Sequence, residues 1–263
     1  MDIQLSSQQY EVLNGALLGD GSLIIHKNGK NAYFSYLSKS KQHVEYVWKY
    51  FCDFAGNIYE SHYVDKRTEK TYYRASFKTP SSPILTQIYH MWYWDKKKHI
   101  PPNIVLTPIS CLLWYIGDGS LNKSKNTQYI KLSTHCFEKK ELEEYILPQL
   151  SWCEPKLYED KSGFTTQYFI YIPHHKIEDF LNYIGPCPFD DYKYKWAYIP
   201  YKNFCINKNP EFTTKLITYF HQGMSSGTIA KLLHVDRSTI VKYLTLNGLD
   251  YKQNLYKKVG SKK

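Results

Sequence analysis

The chain repeats itself. Gly19-Asp20-Gly21-Ser22-Leu23 recurs as Gly117-Asp118-Gly119-Ser120-Leu121, and each copy ends an apolar run that starts at Leu13 or Cys111. After each copy come alternating, aromatic-rich segments at 32–38 and 127–133 that read as strands. Helical stretches follow at 41–54 and 139–150, then strands at 71–77 and 167–172, then apolar-periodic helices at 84–94 and 177–184. Each half closes with a lysine just before an Ile-Pro pair, Lys98 before Ile100-Pro101 and Lys195 before Ile199-Pro200. Lys98 stands 78 residues after Asp20, and Lys195 stands 77 after Asp118. A period this long constrains the fold more than any local motif. It reads as helix, two strands, helix, two strands, helix, twice over, the two α+β units pairing about a pseudo-twofold axis as homodimers do.

The repeated element places an acid where a helix should end. Gly21 and Gly119 are expected to take the chain out of each helix through a left-handed cap. Asp20 and Asp118 then fall on the last turn, at the negative end of the helix dipole, where a carboxylate is disfavoured by roughly 0.3–1 kcal/mol. Placement against local preference points to a use. Gly19 and Gly117, being small, would let the two helices approach until both carboxylates meet. Two like charges at that range need neutralising, and hard divalent cations with oxygen ligands do this. The pattern is that of a phosphodiesterase site in which metal ions stabilise the attacking and leaving oxygens. Lys98 and Lys195 could stabilise charge on the phosphate.

The formal charge is +10, which favours a polyanionic partner, and its distribution is uneven. Residues 211–263 hold nine Lys or Arg against three acids, net +6, which leaves +4 for the rest. The 26 tyrosines fit a sheet that lays amphipathic rings along DNA, and fit equally an AT-rich coding sequence. Six cysteines without a Cys-x-x-Cys pair signal neither a zinc site nor a disulfide framework, so buried free thiols are expected. With no apolar run of about 18 residues and no basic-then-apolar start, an intracellular protein that does not enter membranes is expected.

These segments resemble the two LAGLIDADG motifs of single-chain homing endonucleases. The first matches through Leu13, Gly15, Leu17, Gly19, Asp20 and Gly21. The second keeps Gly117, Asp118 and Gly119 but has Leu113, Trp114 and Tyr115 where smaller residues are usual. The resemblance spans roughly residues 8–200. It implies a monomer with two four-stranded antiparallel sheets forming a saddle in the DNA major groove. Both strands would be cut across the minor groove, within a site of roughly 20 bp. It implies Asp20 and Asp118 as the catalytic acids, sharing two or three Mg²⁺ ions with Gly19 and Gly117 alongside, and Lys98 and Lys195 as the basic partners. Which strand residues face DNA stays open, because a one-residue slip swaps the faces.

From Glu211 the pattern becomes wholly helical. Ala230, Val235, Ile240 and Leu244 have the spacing that packs two helices across a short turn, which resembles a resolvase-like helix-turn-helix except that His234 stands where Gly is usual. Arg237, Ser238, Thr239 and Lys242 would face DNA. The expected domains are therefore 1–100 and 101–202, one per repeat, and 203–263, the helical module with its basic tail. Two rivals use the same scaffold: a non-catalytic DNA-binding regulator and an intron RNA maturase. Retention of both acids and both lysines favours the enzyme. The host is expected to be a mobile element of bacterial, phage or organellar origin.

Overall fold

The computed structural model describes residues 3–124, 127–160, 166–200 and 210–254, in two compact units divided after residue 201. The first unit opens with α1 (Ser7–Leu18), started by a capping box in which Ser6 accepts from the Gln9 amide and Gln9 accepts from that of Ser6. Strands β1 (Ser22–Ile25) and β2 (Ala32–Ser38) follow, then α2 (Lys41–Trp48), β3 (Tyr59–Val64), β4 (Thr71–Lys78) and α3 (Pro83–Trp92). A two-residue turn joins β5 (Tyr93–Trp94) to β6 (Lys97–Lys98).

The second half repeats the order with α4 (Pro108–Asp118), β7 (Gly119–Ser124), β8 (Thr127–Ser133), the short α5 (Lys139–Glu141), β9 (Lys156–Asp160), β10 (Gln167–Pro173) and α6 (Ile177–Ile184). Each half forms an antiparallel four-stranded sheet, β1-β2-β4-β3 and β7-β8-β10-β9, an α+β architecture in which α1 packs along α4. One continuous core runs through both halves and includes Leu13, Leu17, Phe34, Phe77, Leu113, Trp114, Ile130 and Ile170.

Three expected helices are altered. The stretch 41–54 is helical only to Trp48, beyond which the chain turns. The stretch 139–150 becomes one α-helical turn, a π-helical turn (Leu142–Ile146) and a 3-10 helix (Leu147–Cys153). Pro148 stands at the change, and it has no amide to continue an α-helical ladder. The helix expected over 84–94 ends at Trp92, because Tyr93 and Trp94 pair with Lys98 and Lys97.

The sheet pairings fix which strand residues face the core. In β8 and β10, Ile130, Leu132, Ile170 and Ile172 point into the core, while Tyr129, Lys131, Phe169 and Tyr171 occupy the outer face. On the first sheet, Tyr63 stacks on Tyr72 and Arg74 lies over the Tyr63 ring while bonding Ser61.

The second unit holds α7 (Pro210–His221), α8 (Ser226–Leu232) and α9 (Arg237–Leu246) around a core of its own, with Phe212, Leu216, Ile229, Ile240 and Leu244. His234 takes the left-handed conformation (φ 54°) between α8 and α9, where a Gly would be less strained. No described helix is long and apolar enough to cross a membrane.

Candidate active site at the paired helix ends

Helices α1 and α4 descend side by side in the same direction. A Cβ on Gly15 would lie 2.5 Å from the Ser110 carbonyl oxygen, and one on Gly19 would lie 3.6 Å from the Gly117 Cα. The close approach expected at Gly19 and Gly117 is thus present, and its tightest point is at Gly15. A Cβ on Gly117 would come within 3.3 Å of the Asp20 Oδ2, so the first carboxylate lies against the end of the second helix. Asp118 is the last residue of α4, whereas Asp20 lies two residues beyond α1.

The left-handed cap expected at Gly21 and Gly119 is not what these glycines supply. Gly119 is extended (φ −91°, ψ 155°), and Gly21 is not among the positive-φ glycines. What excludes a side chain is room. A Cβ on Gly21 would lie 2.8 Å from the Ala16 carbonyl oxygen, and one on Gly119 would lie 2.2 Å from the Tyr115 Cδ2. Both glycines fold the departing strand back onto its own helix.

The two lysines arrive at this point from different local structures. Lys98, on β6, donates to the Gly21 carbonyl at 3.2 Å. Lys195 lies in a 3-10 helix (Asp190–Trp196), 4% exposed, and donates to the carbonyls of Tyr115 (3.2 Å), Ile116 (2.6 Å) and Gly119 (2.7 Å). Those are carbonyls at the C-terminal end of α4, so Lys195 caps the helix that carries Asp118. All three ammonium protons are used in doing so. Tyr115, one of the large residues that departs from the usual motif, donates its hydroxyl to the Lys195 carbonyl at 2.7 Å. The departure thus anchors the lysine segment.

The electrostatics follow from burial. Desolvation raises the Asp118 carboxyl to about 6, the nearby Asp20 charge adds to this, and Lys98 and Lys195 oppose it. Asp20 is raised for the same first reason, against the pull of Lys195 and Lys98. Burial lowers Lys195 to about 8 and lowers Lys98, while both acids favour the charged forms. The site therefore brings two destabilised carboxylates and two destabilised ammoniums within reach of one another's charge. Among the described residues no group of three or more His, Cys, Asp or Glu could hold a metal ion. The protein donors for a cation here are the two carboxylates and nearby backbone oxygens.

Several neighbours gave no sequence signal. Tyr36 is fully buried and bonds His43 at 2.8 Å, and the charges of Asp20 and Asp118 help burial push its hydroxyl pKa up. His43 is held neutral, its pKa lowered to about 3 by burial and then by Lys195. Tyr192 lies beneath the Lys195 ammonium, 5.0 Å from ring centre to Nζ. Single aromatics and histidines have no spacing to betray them; only the fold brings them here.

In the second unit, Ser238 and Lys242 are exposed on α9 and Thr239 is half-buried, while Arg237 bonds Ser226 at 3.2 Å and so ties α9 to α8.

The sequence matches the LAGLIDADG DNA endonuclease family over residues 10–180. It is 33% identical over 133 residues to an uncharacterized protein of Methanocaldococcus jannaschii, a match that spans 48% of this chain and about half (48%) of that protein. It is 28% identical over 148 residues to the DNA endonuclease I-ChuI of Chlamydomonas applanata, covering 51% of this chain and 68% of the other. Among solved structures, the homing endonuclease I-WcaI bound to its DNA recognition sequence covers 75% of this chain and 89% of its own, with a TM-score of 0.66 at 23% identity. With antiparallel sheets flanking two parallel motif helices, and with the family's sequence pattern across most of the first unit, the chain belongs to the LAGLIDADG DNA endonuclease family.

Proposed function

We propose that this protein is a homing-type endonuclease that makes a Mg²⁺-dependent double-strand break in a long DNA site. The observation that carries the reading is the convergence of two desolvated carboxylates, Asp20 and Asp118, with Lys98 and Lys195 at the ends of α1 and α4. A structural role does not require this. Two carboxylates raised by burial, Asp118 by the Asp20 charge as well, cost stability that the two lysines offset only in part, and a bound cation would recover more of it.

The donor set fits Mg²⁺, an ion commonly bound by one or two carboxylates with water and substrate phosphate completing its shell. Asp20 and Asp118 would hold it, with the backbone of Gly19 and Gly117 alongside. When bound, the ion supplies positive charge against the acids and the scissile phosphate and makes nearby water more acidic. The chain's own residues do the rest. Lys195 fixes the end of α4 and thereby the direction of Asp118. Lys98 spends one proton on the Gly21 carbonyl and keeps two for an incoming phosphate oxygen.

DNA would lie along the outer faces of the two sheets, where Tyr63, Tyr72 and Arg74 on one and Tyr129, Lys131 and Tyr171 on the other present rings and cations. The α8-turn-α9 element, with Ser238 and Lys242 exposed, supports a second, helix-turn-helix contact to the same DNA. A single chain supplies both acids, so a monomer suffices.

The test is cleavage of a supercoiled plasmid library carrying randomised inserts, with and without Mg²⁺. Linear product with recurrent ends, present only with the ion and absent for Asp20→Asn, is the expected result. Retention of cutting in Asp20→Asn or in chelator would overturn the reading. Sequence-selective binding without cutting would point to the regulator instead.

A further inference from the structure

Each lysine-bearing segment is anchored on the opposite repeat. His99 follows Lys98, is 1% exposed, and sits between two carboxylates, with Nε2 3.1 Å from Asp95 Oδ1 and Nδ1 2.7 Å from Glu141 Oε1. Carboxylates accept only, so both ring nitrogens donate and the ring is an imidazolium. The Trp94 indole stacks on it at 3.7 Å between ring centres, and the His99 amide donates to the Trp92 carbonyl at 2.7 Å. Asp95 and Lys96 both hold positive φ (48° and 68°), a conformation that non-glycine residues keep only when the surroundings impose it. The Asp95 bond ties that turn from within, and Glu141, on α5 of the second repeat, ties it from outside.

The other seam is built from different residues to the same plan. Asp191 lies in the 3-10 helix of Lys195 and accepts from Ser40 Oγ at 2.5 Å, and Ser40 caps α2 of the first repeat by accepting from the His43 amide. Beside it the Tyr192 hydroxyl meets Ser38 Oγ at 3.4 Å and its ring meets His43 edge-on. In both seams the anchor is the start of the helix that follows the second strand of the other repeat.

We propose that His99–Glu141 and Ser40–Asp191 are reciprocal positioning pairs, each holding one repeat's lysine in the site from the other repeat. Neither half of the site is then complete without its neighbour. This rests on the endonuclease reading above.

The test uses the full chain under single-turnover conditions at saturating protein, on a supercoiled plasmid bearing the selected site. For His99→Gln and for Asp191→Ala, the expected result is at least a tenfold slower second cut with unchanged Kd, so that nicked plasmid accumulates. The nicks of the two variants should fall on opposite strands. Asp191→Asn, which can still accept from Ser40, should recover most of the rate. His99→Gln added to Lys98→Ala should cause no further loss, because it acts through that lysine. Equal nicking of both strands, or additive losses, overturns the proposal. A second readout needs no cleavage: in ¹⁵N NMR of the metal-free protein at neutral pH, both His99 ring nitrogens should be protonated, and one should lose its proton in Glu141→Gln. A neutral His99 in the wild type overturns the first pair directly. Failure of the wild type to cut any DNA would instead overturn the endonuclease reading, and the catalytic use of the pairs with it.

Discussion

Lys98 and Lys195 stand at nearly the same distance from their aspartates, 78 and 77 residues, yet among the described residues one rides on a hairpin with one carbonyl partner and the other is buried in a 3-10 helix with three. The first repeat keeps smaller residues at the motif, with Ala16 and Leu17 where the second has Trp114 and Tyr115, and its lysine meets one carbonyl among the described residues. The second fills the same space with aromatics and commits its lysine to the helix end. The same spacing therefore leads to two local structures, a hairpin lysine on the Gly21 carbonyl in one half and a buried helix cap in the other. The seams differ likewise: His99 is an imidazolium between carboxylates, while His43 is a neutral ring among aromatics.

The largest effect should be the least asymmetric. Asp20→Asn and Asp118→Asn should each lower single-turnover cleavage by about 10³-fold or more while leaving DNA affinity intact, since in the proposed mechanism both carboxylates would hold the cation. Stability should separate them. In chelator, Asp118→Asn should raise Tm more than Asp20→Asn, because burial and Asp20 together lift the Asp118 pKa to about 6 and make its charge costly at neutral pH. Equal melting shifts would mean that the two halves share the electrostatic strain evenly.

Next comes the lysine contrast. Lys195→Ala should destabilise the protein by roughly 2–3 kcal/mol, as three buried carbonyls lose their donor, and cleavage should fall with it. Lys98→Ala should slow cleavage about 10²-fold with Tm hardly changed. Chemical denaturation beside single-turnover rates checks this, and matching losses of stability would erase the division of labour.

The two histidines should give opposite pH signatures. His43 has its folded pKa depressed to about 3, so the stability it contributes is present above its unfolded pKa and is lost as pH falls from about 6.5 toward 3. For His99, burial alone would lower the pKa, but the hydrogen bonds and charges of Asp95 and Glu141 outweigh it and the net shift is upward. Its contribution is fully present below the unfolded pKa and is lost as pH rises through the folded one. Tm profiles should therefore flatten on the acid side in His43→Gln and on the alkaline side in His99→Gln. The reverse assignment would invert the description of the seams.

The smallest effect on chemistry concerns the second unit. Removing residues 203–263 deletes a net +7, ten Lys or Arg against three acids, and if half of that charge meets phosphate, the slope of log K against log salt should drop by roughly 3. The cut bonds should stay the same, because the acids and lysines lie in the first unit with a core of its own. An unchanged slope would assign the helical unit a structural role.

Much of this molecule is legible in its sequence. The duplicated Gly-Asp-Gly, the matched lysines and the period-2 segments sufficed for the α+β repeat, the strands at 32–38 and 127–133, and the four charged residues of the site. Such features are local in sequence or repeated, and a repeat doubles its own signal. Three things waited on tertiary structure. The need for glycine at 21 and 119 comes from backbone crowding against Ala16 and Tyr115, which only the folded turn creates. The use of Lys195 as a cap depends on carbonyls at the end of a helix some 80 residues earlier in the chain. The pairing of His99 with Glu141 and of Ser40 with Asp191 joins residues 42 and 151 positions apart. Sequence spacing reports the geometry of a single helix or strand; which groups meet across a packed interface, and which buried charges find partners there, is decided when the whole core closes.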